Sequence, residues 1–242
     1  MLYLGTDTKI TPAPDWHQRF RQLAASCPSK LLKAYYQAGA VAPHTRIADT
    51  PLLALDLETT GLNPELHDII SIGLVPVSGN TIYTSKARHW LVQSRSGLPA
   101  DSVQYHRITD DALANAPDLL EVLPEFLDQI AGKILLVHCA DIERRFLASA
   151  LIARLGTGLE IPVIDTMALE ARLHRTRPQS LWQRWRRQPQ TSIRLAASRS
   201  RYGLPDYLPH HAVTDAIACA ELFQAQIADR YDWHTPVAVL WS

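Results

Sequence analysis

The spacing of apolar residues predicts strands in the first half of the chain and alternating helices and strands in the second. The predicted strands occupy 52–58, 69–77 and 81–92, the last two joined by a turn at Ser78, Gly79 and Asn80. The alternating elements are a helix at 117–130, a strand at 134–137, a helix at 142–155, a strand at 162–164 and a closing helix at 213–227. This order is typical of an α/β domain built on a mixed sheet, which is the fold class predicted here.

The first fifty residues precede this pattern and are predicted to form a helical extension. Apolar residues recur near helical spacing over 16–38, and Pro28 is expected to split this stretch into two short helices, the second capped by Ser29. A polar linker follows Pro43. The predicted organisation has three parts: an extension with its linker at 1–50, an α/β domain at 51–230 and a C-terminal tail at 231–242.

Composition narrows the class of protein without defining its chemistry. Apolar residues make up 47% of the 242 residues and charged residues 20%, which is enough apolar material for a core and too much for a disordered chain. Twenty-four basic residues balance 24 acidic ones, which excludes a globally basic nucleic-acid binder. The sequence has no apolar run near the roughly 18 residues of a membrane helix, no signal-peptide pattern and no paired cysteine spacing. A cytoplasmic protein with reduced thiols and no membrane partner is therefore expected.

The most specific chemical signal is a pair of acids, Asp56 and Glu58, in the first predicted strand. Side chains alternate along a strand, so both acids share one face, while Leu53, Leu55 and Leu57 share the other. Two carboxylates on a buried strand repel each other and lose hydration unless a cation compensates them, and this segment has no Lys or Arg. A divalent cation that prefers oxygen ligands, Mg²⁺ or Mn²⁺, is therefore predicted. The alternative is a solvated strand end in which Asp56 pairs with a distant arginine.

Two predicted helices offer further acids. Asp215 lies on the apolar stripe of the closing helix, in line with Cys219 and Leu222, so it needs a partner. Its alternative role is that of an acid stabilised by the dipole at a helix N-terminus. On an earlier predicted helix, Glu143 falls near the centre of the apolar stripe, which makes it the better ligand candidate. Asp141 points nearly opposite and is predicted to be the N-cap of that helix.

An arginine-rich segment lies between the last predicted strand and the closing helix. It holds nine arginines, two tryptophans and no Asp or Glu between residues 172 and 201. Arginine binds phosphate and tryptophan stacks on bases, so Arg184, Arg186 and Arg187 are predicted to contact a nucleic-acid strand. The alternatives are a solvated helix face with the tryptophans packed inward, or a surface for a protein partner.

Three motifs, in this order, resemble those of the DnaQ-like 3′–5′ exonucleases. The likeness is to the histidine subclass of the DEDD nucleases, which includes the proofreading epsilon subunit of bacterial DNA polymerase III. The motifs are Asp56-x-Glu58-Thr59-Thr60-Gly61-Leu62, the segment from His138 to Phe146, and His210-x-x-x-x-Asp215. Segments at 102–109 and 163–166 also resemble family features, and the likeness covers roughly residues 52–227. Cys139 and Glu143 depart from the family pattern, which usually has Asn and Asp at these positions.

The resemblance implies a ribonuclease H-like fold, with a mixed five-stranded sheet flanked by helices. Four acids would bind two Mg²⁺ ions, for which Mn²⁺ could substitute: Asp56, Glu58, Glu143 and Asp215. His210 would be the general base, because the histidine subclass has its base five residues before the last aspartate. His211 stands at the four-residue offset that the tyrosine subclass uses. The implied product is a nucleoside 5′-monophosphate, released stepwise from a 3′ end.

On the substrate side, the resemblance implies that Thr59, Thr60 and Gly61 hold the terminal nucleotide through their backbone. Leu62 would wedge against the last base, and His138 would also contact the substrate. A plain turn is the alternative for the loop after Gly61.

The predicted partner is a single-stranded or frayed 3′ end of DNA or RNA, between which the motifs do not distinguish. A protein partner would bind through the N-terminal helices or the arginine-rich segment. The alternative function is a catalytically weak nucleic-acid-binding or polymerase-associated module that keeps the exonuclease fold.

Overall fold

A computed structural model of the chain describes residues 13–95, 97, 108–175 and 191–242. Its strands are β1 (Leu52–Thr59), β2 (Ile69–Ser78), β3 (Thr81–Ile82), β4 (Arg88–Leu91), β5 (Ile134–Val137) and β6 (Val163–Asp165). β1 pairs antiparallel with β2 and parallel with β5, and β5 pairs parallel with β6. The fold is therefore the mixed sheet that the sequence predicts, with β1 at its centre.

Helices flank this sheet, and the closing helix packs directly on β1 and β2. The helices are α1 (Trp16–Ser26), α2 (Lys30–Gln37), α3 (Asp110–Ala114), α4 (Leu119–Ile130), α5 (Ala140–Leu155), α6 (Thr166–His174), α7 (Leu195–Arg201) and α8 (Ala212–Arg230). The predicted break at Pro28 and the predicted cap are both present, since the Ser29 side chain accepts a hydrogen bond from the Leu32 N–H at 3.4 Å. None of the helices in the described ranges is both long and apolar enough to cross a lipid bilayer.

The predicted third strand at 81–92 is wrong in one respect, because it is two short strands rather than one. β3 pairs with the end of β2 at Val77 and Ser78, and β4 pairs with its middle at residues 71–74. Between them, residues 84–86 form a 3₁₀ turn. These three side chains (Thr, Ser and Lys) are polar, so they cannot supply the buried face of a continuous strand. Because β3 and β4 share one edge of β2, the sheet is five strands wide.

The N-terminal helices pack on the rest of the chain through aromatic side chains. Trp16, Phe20, Tyr35 and Tyr36 are buried and belong to the same apolar cluster as the leucines of β1. The Tyr36 hydroxyl accepts a hydrogen bond from the Glu160 N–H at 3.0 Å. Burial of these rings therefore joins α1 and α2 to the core of the sheet.

The linker after α2 and the end of the chain hydrogen-bond to each other. The Ile47 N–H donates to the Thr235 carbonyl at 3.0 Å, and the Val237 N–H donates to the Thr45 carbonyl at 2.8 Å. The Ser242 N–H then donates to the Val163 carbonyl of β6 at 2.8 Å. Both segments are thus fixed against the sheet on the side of β6.

Candidate active site

Three carboxylates meet at one edge of the sheet. Asp56 and Glu58 lie on β1, and Asp215 lies in the first turn of α8. One carboxylate oxygen of each lies within 4.8 Å of the corresponding oxygen of the other two. In the described ranges, no Lys or Arg forms an ion pair with any of the three, so the alternative of an arginine paired with Asp56 is not seen there. Clustered oxygen donors without a cationic side chain are the ligand set that Mg²⁺ or Mn²⁺ fits.

The close approach of α8 to β2 brings Asp215 to the other two acids. Gly73 of β2 is the cross-strand partner of Asp56. A Cβ at Gly73 would lie 2.4 Å from the carbonyl carbon of Ala212, the first residue of α8. Only glycine lets the backbone of the helix lie so close to the strand, so Gly73 sets the distance between Asp215 and Asp56.

The pKa values of the three clustered acids are raised, as expected for carboxyls without a cation beside them. Burial raises the pKa of Asp56 well above its usual range, and the charges of Glu58 and Asp215 raise it further. Burial, followed by the charge of Asp215, raises the pKa of Glu58 to about 7. Burial also raises the pKa of Asp215, although the backbone N–H of His210 opposes this effect. A divalent cation would favour the ionised form of all three carboxyls, so these residues fit one.

Glu143 is the fourth predicted acid, and it lies in the first turn of α5. It is 3% exposed, and its Oε2 has no hydrogen-bond partner among the described residues. Burial raises the pKa of Glu143 well above its usual range, and its charge contributes to the raised pKa of Asp56. Glu143 lies outside the group of three oxygens within 4.8 Å of one another. A buried carboxylate oxygen without a donor is nevertheless available to a cation beside that group.

The predicted N-cap at Asp141 is wrong. Asp141 lies inside the first turn of α5, is exposed, and pairs with Arg145 at 3.4 Å. The helix is instead capped from β6: the Asp165 carboxylate accepts hydrogen bonds from the Cys139 and Ala140 N–H groups, both at 3.0 Å. Asp165 also accepts a bond from the Met167 N–H at 2.8 Å, so one side chain caps both α5 and α6. An Asp after a buried strand and before a helix is an N-cap signal in the sequence, but its reach across the sheet is not.

The two neighbouring histidines have different environments. His210 is exposed, with a left-handed φ of 69°, and its backbone N–H donates to Asp215 Oδ2 at 2.8 Å. His211 caps α8, because its Nδ1 accepts a bond from the Thr214 N–H at 3.4 Å. The His211 ring also packs against His89, with ring centroids 5.1 Å apart. His211 therefore contributes to the fold, while His210 lies at the surface beside the carboxylates.

The loop after β1 is held rigidly by local hydrogen bonds. The Thr59 hydroxyl donates to the Gly61 carbonyl at 2.7 Å. The Thr60 hydroxyl accepts from the Asp68 N–H at 3.0 Å, and the Thr60 N–H donates to the Asp68 carbonyl at 3.0 Å. A Cβ at Gly61 would lie 2.5 Å from ring atoms of His67, so the loop packs tightly there. Leu62 is 62% exposed and projects from this loop.

His138 lies in the turn between β5 and α5 and is held by Thr166. The Thr166 hydroxyl donates to the Val137 carbonyl at 3.0 Å, which leaves His138 Nδ1 to donate to that hydroxyl at 2.9 Å. Burial lowers the pKa of His138 to about 4, so the ring is neutral at neutral pH. The charge of Asp165 and the backbone of Ile193 oppose this lowering of the pKa. A contact between His138 and substrate stays a prediction.

The predicted phosphate-binding arginines, Arg184, Arg186 and Arg187, lie outside the described residues. Two other arginines of the same segment contribute to the fold. Arg199 is buried, and its Nη1 donates to the Ala218 carbonyl at 2.7 Å. Arg201 pairs with the buried Glu170 and donates to the Ser192 carbonyl at 2.6 Å. The arginine-rich composition therefore includes side chains with structural partners.

The mixed sheet, with the acids of β1 and α8 clustered at its edge and the buried Glu143 on α5, defines a ribonuclease H-like fold with a candidate metal site. The sequence profile of the family described as Exonuclease matches residues 53–223. The chain belongs to this exonuclease family, which confirms the family resemblance of its three motifs and the enzyme class that they imply.

Two relatives match most of this chain, but the match covers very different shares of their own lengths. The DNA polymerase III subunit epsilon of Treponema pallidum is 32% identical over 187 residues, which cover 77% of this chain and 80% of that protein. The PolC-type DNA polymerase III of Thermotoga maritima is 32% identical over 175 residues, which cover 72% of this chain and 12% of the polymerase. The chain thus spans only a small part of the PolC-type relatives that it matches.

Solved structures confirm the fold. The nuclease domain of 3′hExo, a DEDDh family member bound to rAMP, superposes with a TM-score of 0.61 at 18% identity, covering 77% of this chain and 96% of that one. Exonuclease X in complex with 5′-overhanging duplex DNA superposes with a TM-score of 0.51 at 23% identity, covering 74% of this chain and 92% of that one.

Proposed function

We propose that the chain is a metal-dependent 3′–5′ exonuclease that releases nucleoside 5′-monophosphates from DNA or RNA. The observation that carries the proposal is the group of Asp56, Glu58 and Asp215 within 4.8 Å, with the exposed His210 bonded to Asp215 through its backbone. The relatives named DNA polymerase III and the neighbours bound to rAMP or DNA support a nucleic-acid substrate.

The carboxylates would hold the metal. Asp56, Glu58 and Asp215, with Glu143 in support, have the donor set for two Mg²⁺ ions, and Mn²⁺ would substitute. Such ions, when bound, stabilise charge on the attacking and leaving oxygens of the phosphate. The protein's own contribution is a preformed cluster of oxygen donors, held in place by Gly73 and by the helix caps.

His210 would accept the proton of the attacking water, a role that histidine side chains commonly have in hydrolases. Its backbone bond to Asp215 ties the base to a metal-binding carboxylate. The backbone of Thr59, Thr60 and Gly61 would hold the terminal nucleotide, and Leu62 would pack against its base. Arg184, Arg186 and Arg187 would contact the phosphates further along the strand.

The test uses oligonucleotides labelled at either the 3′ or the 5′ end, in DNA and RNA versions, with Mg²⁺, Mn²⁺ or EDTA. The variants are Asp56→Asn and His210→Ala. Their matched controls are Asp128→Asn and His44→Ala, which make the same changes at exposed residues of α4 and of the linker. We expect a ladder from the 5′-labelled strand that needs metal and is preserved in both controls. Asp56→Asn should abolish it, and His210→Ala should slow it by about 10²- to 10⁴-fold.

Three outcomes would contradict the proposal. Release of labelled mononucleotide from the 5′ end would show that digestion runs from 5′ to 3′. Unchanged activity in Asp56→Asn would show that the reaction does not need the proposed metal site. Binding of the oligonucleotides without cleavage under every metal condition would favour the accessory nucleic-acid-binding module instead.

A further inference from the structure

The loop that joins α7 to α8 carries His210 and has little apolar burial of its own. Every residue from 205 to 211 is exposed. Segments with few buried contacts open at low free-energy cost, so polar contacts decide where such a loop lies. The position of His210 therefore depends on what ties this loop to the rest of the protein.

Three side chains tie the middle of the loop to α8, and we call them the loop clamp: Arg199, Tyr207 and Glu221. Arg199 is 3% exposed, and its Nη2 lies 2.8 Å from Glu221 Oε2. The Tyr207 hydroxyl donates to Glu221 Oε1 at 2.9 Å. The Tyr207 ring lies over the Arg199 guanidinium, 4.7 Å from its central carbon to the ring centroid. Each member of the clamp thus contacts the other two.

Backbone contacts extend the clamp in both directions. Arg199 Nη2 donates to the Pro205 carbonyl in the loop at 2.8 Å, and Nη1 donates to the Ala218 carbonyl of α8 at 2.7 Å. At the far end of the loop, Asp215 of the same helix accepts the N–H of His210. These contacts hold the loop on α8 on each side of the stretch from Leu208 to Pro209.

We propose that the loop clamp positions His210 for catalysis; this inference rests on the function proposed above. The cause is geometric: Tyr207 lies three residues before His210 on an otherwise exposed loop, so loss of its bond to Glu221 removes the clamp contact nearest to His210 in the sequence. Arg199 would then act as a positioning residue through the loop, rather than as a contact to nucleic acid. A misplacement of about 1 Å in a catalytic group can cost about 10²-fold in rate.

The first test uses Tyr207→Phe, which removes only the hydroxyl, and Glu221→Ala, which removes the acceptor of that hydroxyl. We expect kcat to fall by about tenfold to 100-fold, with KM within about twofold of the wild-type value. Hydrogen exchange at the His210 amide should become faster in both variants, while the urea midpoint of Tyr207→Phe stays unchanged. Tyr83→Phe makes the same change at a tyrosine far along the chain and should leave kcat unchanged. A kcat within about twofold of wild type in both clamp variants would overturn the inference.

A double-mutant cycle then shows whether the clamp acts through His210. In the His210→Ala background, Tyr207→Phe should cause no further loss of single-turnover rate, because there is no base left to misplace. A second loss of full size would overturn the inference, since it would show an effect independent of His210. Full activity in His210→Ala would overturn the proposed base and the clamp together. An inactive His210→Ala beside an unaffected Tyr207→Phe would overturn the clamp alone.

Discussion

Replacement of Gly73 by alanine should separate the two halves of the carboxylate cluster. A Cβ at this position would lie 2.4 Å from the carbonyl carbon of Ala212 and 2.5 Å from the nitrogen of Val213. Both are backbone atoms at the start of α8, so no side-chain rotation can relieve the contact. Carbon atoms in contact lie about 3.5 Å apart or more, so the helix must move by about 1 Å.

This displacement has two measurable consequences. Overpacking of this kind costs about 1–3 kcal/mol, so the free energy of unfolding of Gly73→Ala, measured in urea, should fall by that amount. Because Asp215 follows Ala212 by less than one helical turn, the same shift moves its carboxylate away from Asp56. Nuclease activity should therefore fall by about 10²-fold, well beyond the effect of the lost stability on a protein that remains folded.

The matched control is Gly158→Ala. A Cβ there would make only an ordinary 3.4 Å contact with the Cβ of Ala148. Stability and nuclease activity of this variant should stay close to wild type. If Gly73→Ala also kept wild-type stability and activity, the argument that a close helix–strand contact sets the geometry of the site would be refuted.

Two further predictions concern protonation and capping. Since the pKa of Glu58 is raised to about 7 in the folded chain, the folded state binds more protons than the unfolded state between the ordinary glutamate range and pH 7. In EDTA, the melting temperature should fall as the pH rises through this window, and Mg²⁺ should reduce the fall. A melting temperature in EDTA that does not change with pH would contradict the raised pKa of Glu58. Asp165→Asn should lower the free energy of unfolding by about 1–3 kcal/mol in urea denaturation, because its carboxylate accepts three backbone N–H bonds. Asp141→Asn should change it by less than about 0.5 kcal/mol, and equal losses in the two variants would refute the assignment of the cap.

Local sequence patterns predict the elements whose burial follows from the apolar residues within the element itself. β5 has the predicted bounds because its four residues are all apolar and all buried. Burial of Glu143 was likewise predictable from helical periodicity, since the spacing of the apolar residues around it fixes the inward face of α5. The grouping of Asp56 with Glu58 follows from strand alternation in the same way.

The sequence could not predict contacts that depend on how distant segments meet. Asp165 caps α5 from a neighbouring strand, and this outcome depends on the pairing of β5 with β6. Gly73 has the same dependence, because its need for glycine appears only when α8 lies on β2. The environment of His211 depends on its packing against His89, which is remote in sequence. Periodicity reports which side of an element is buried, but not which residue it meets.

Gly73 and Asp165 hold the elements of the site in place, and neither supplies a positive charge to the acids. Gly73 supports α8 by allowing close backbone contact, and Asp165 supports α5 by accepting N–H bonds. The fold thus holds Asp56, Glu58 and Asp215 together against their mutual repulsion, and none of them forms an ion pair with a Lys or Arg among the described residues. A ligand that binds the folded state but not the unfolded chain stabilises the fold by its binding free energy. Cation binding and folding stability should therefore be coupled in this protein, and variants that loosen the supports should weaken both together.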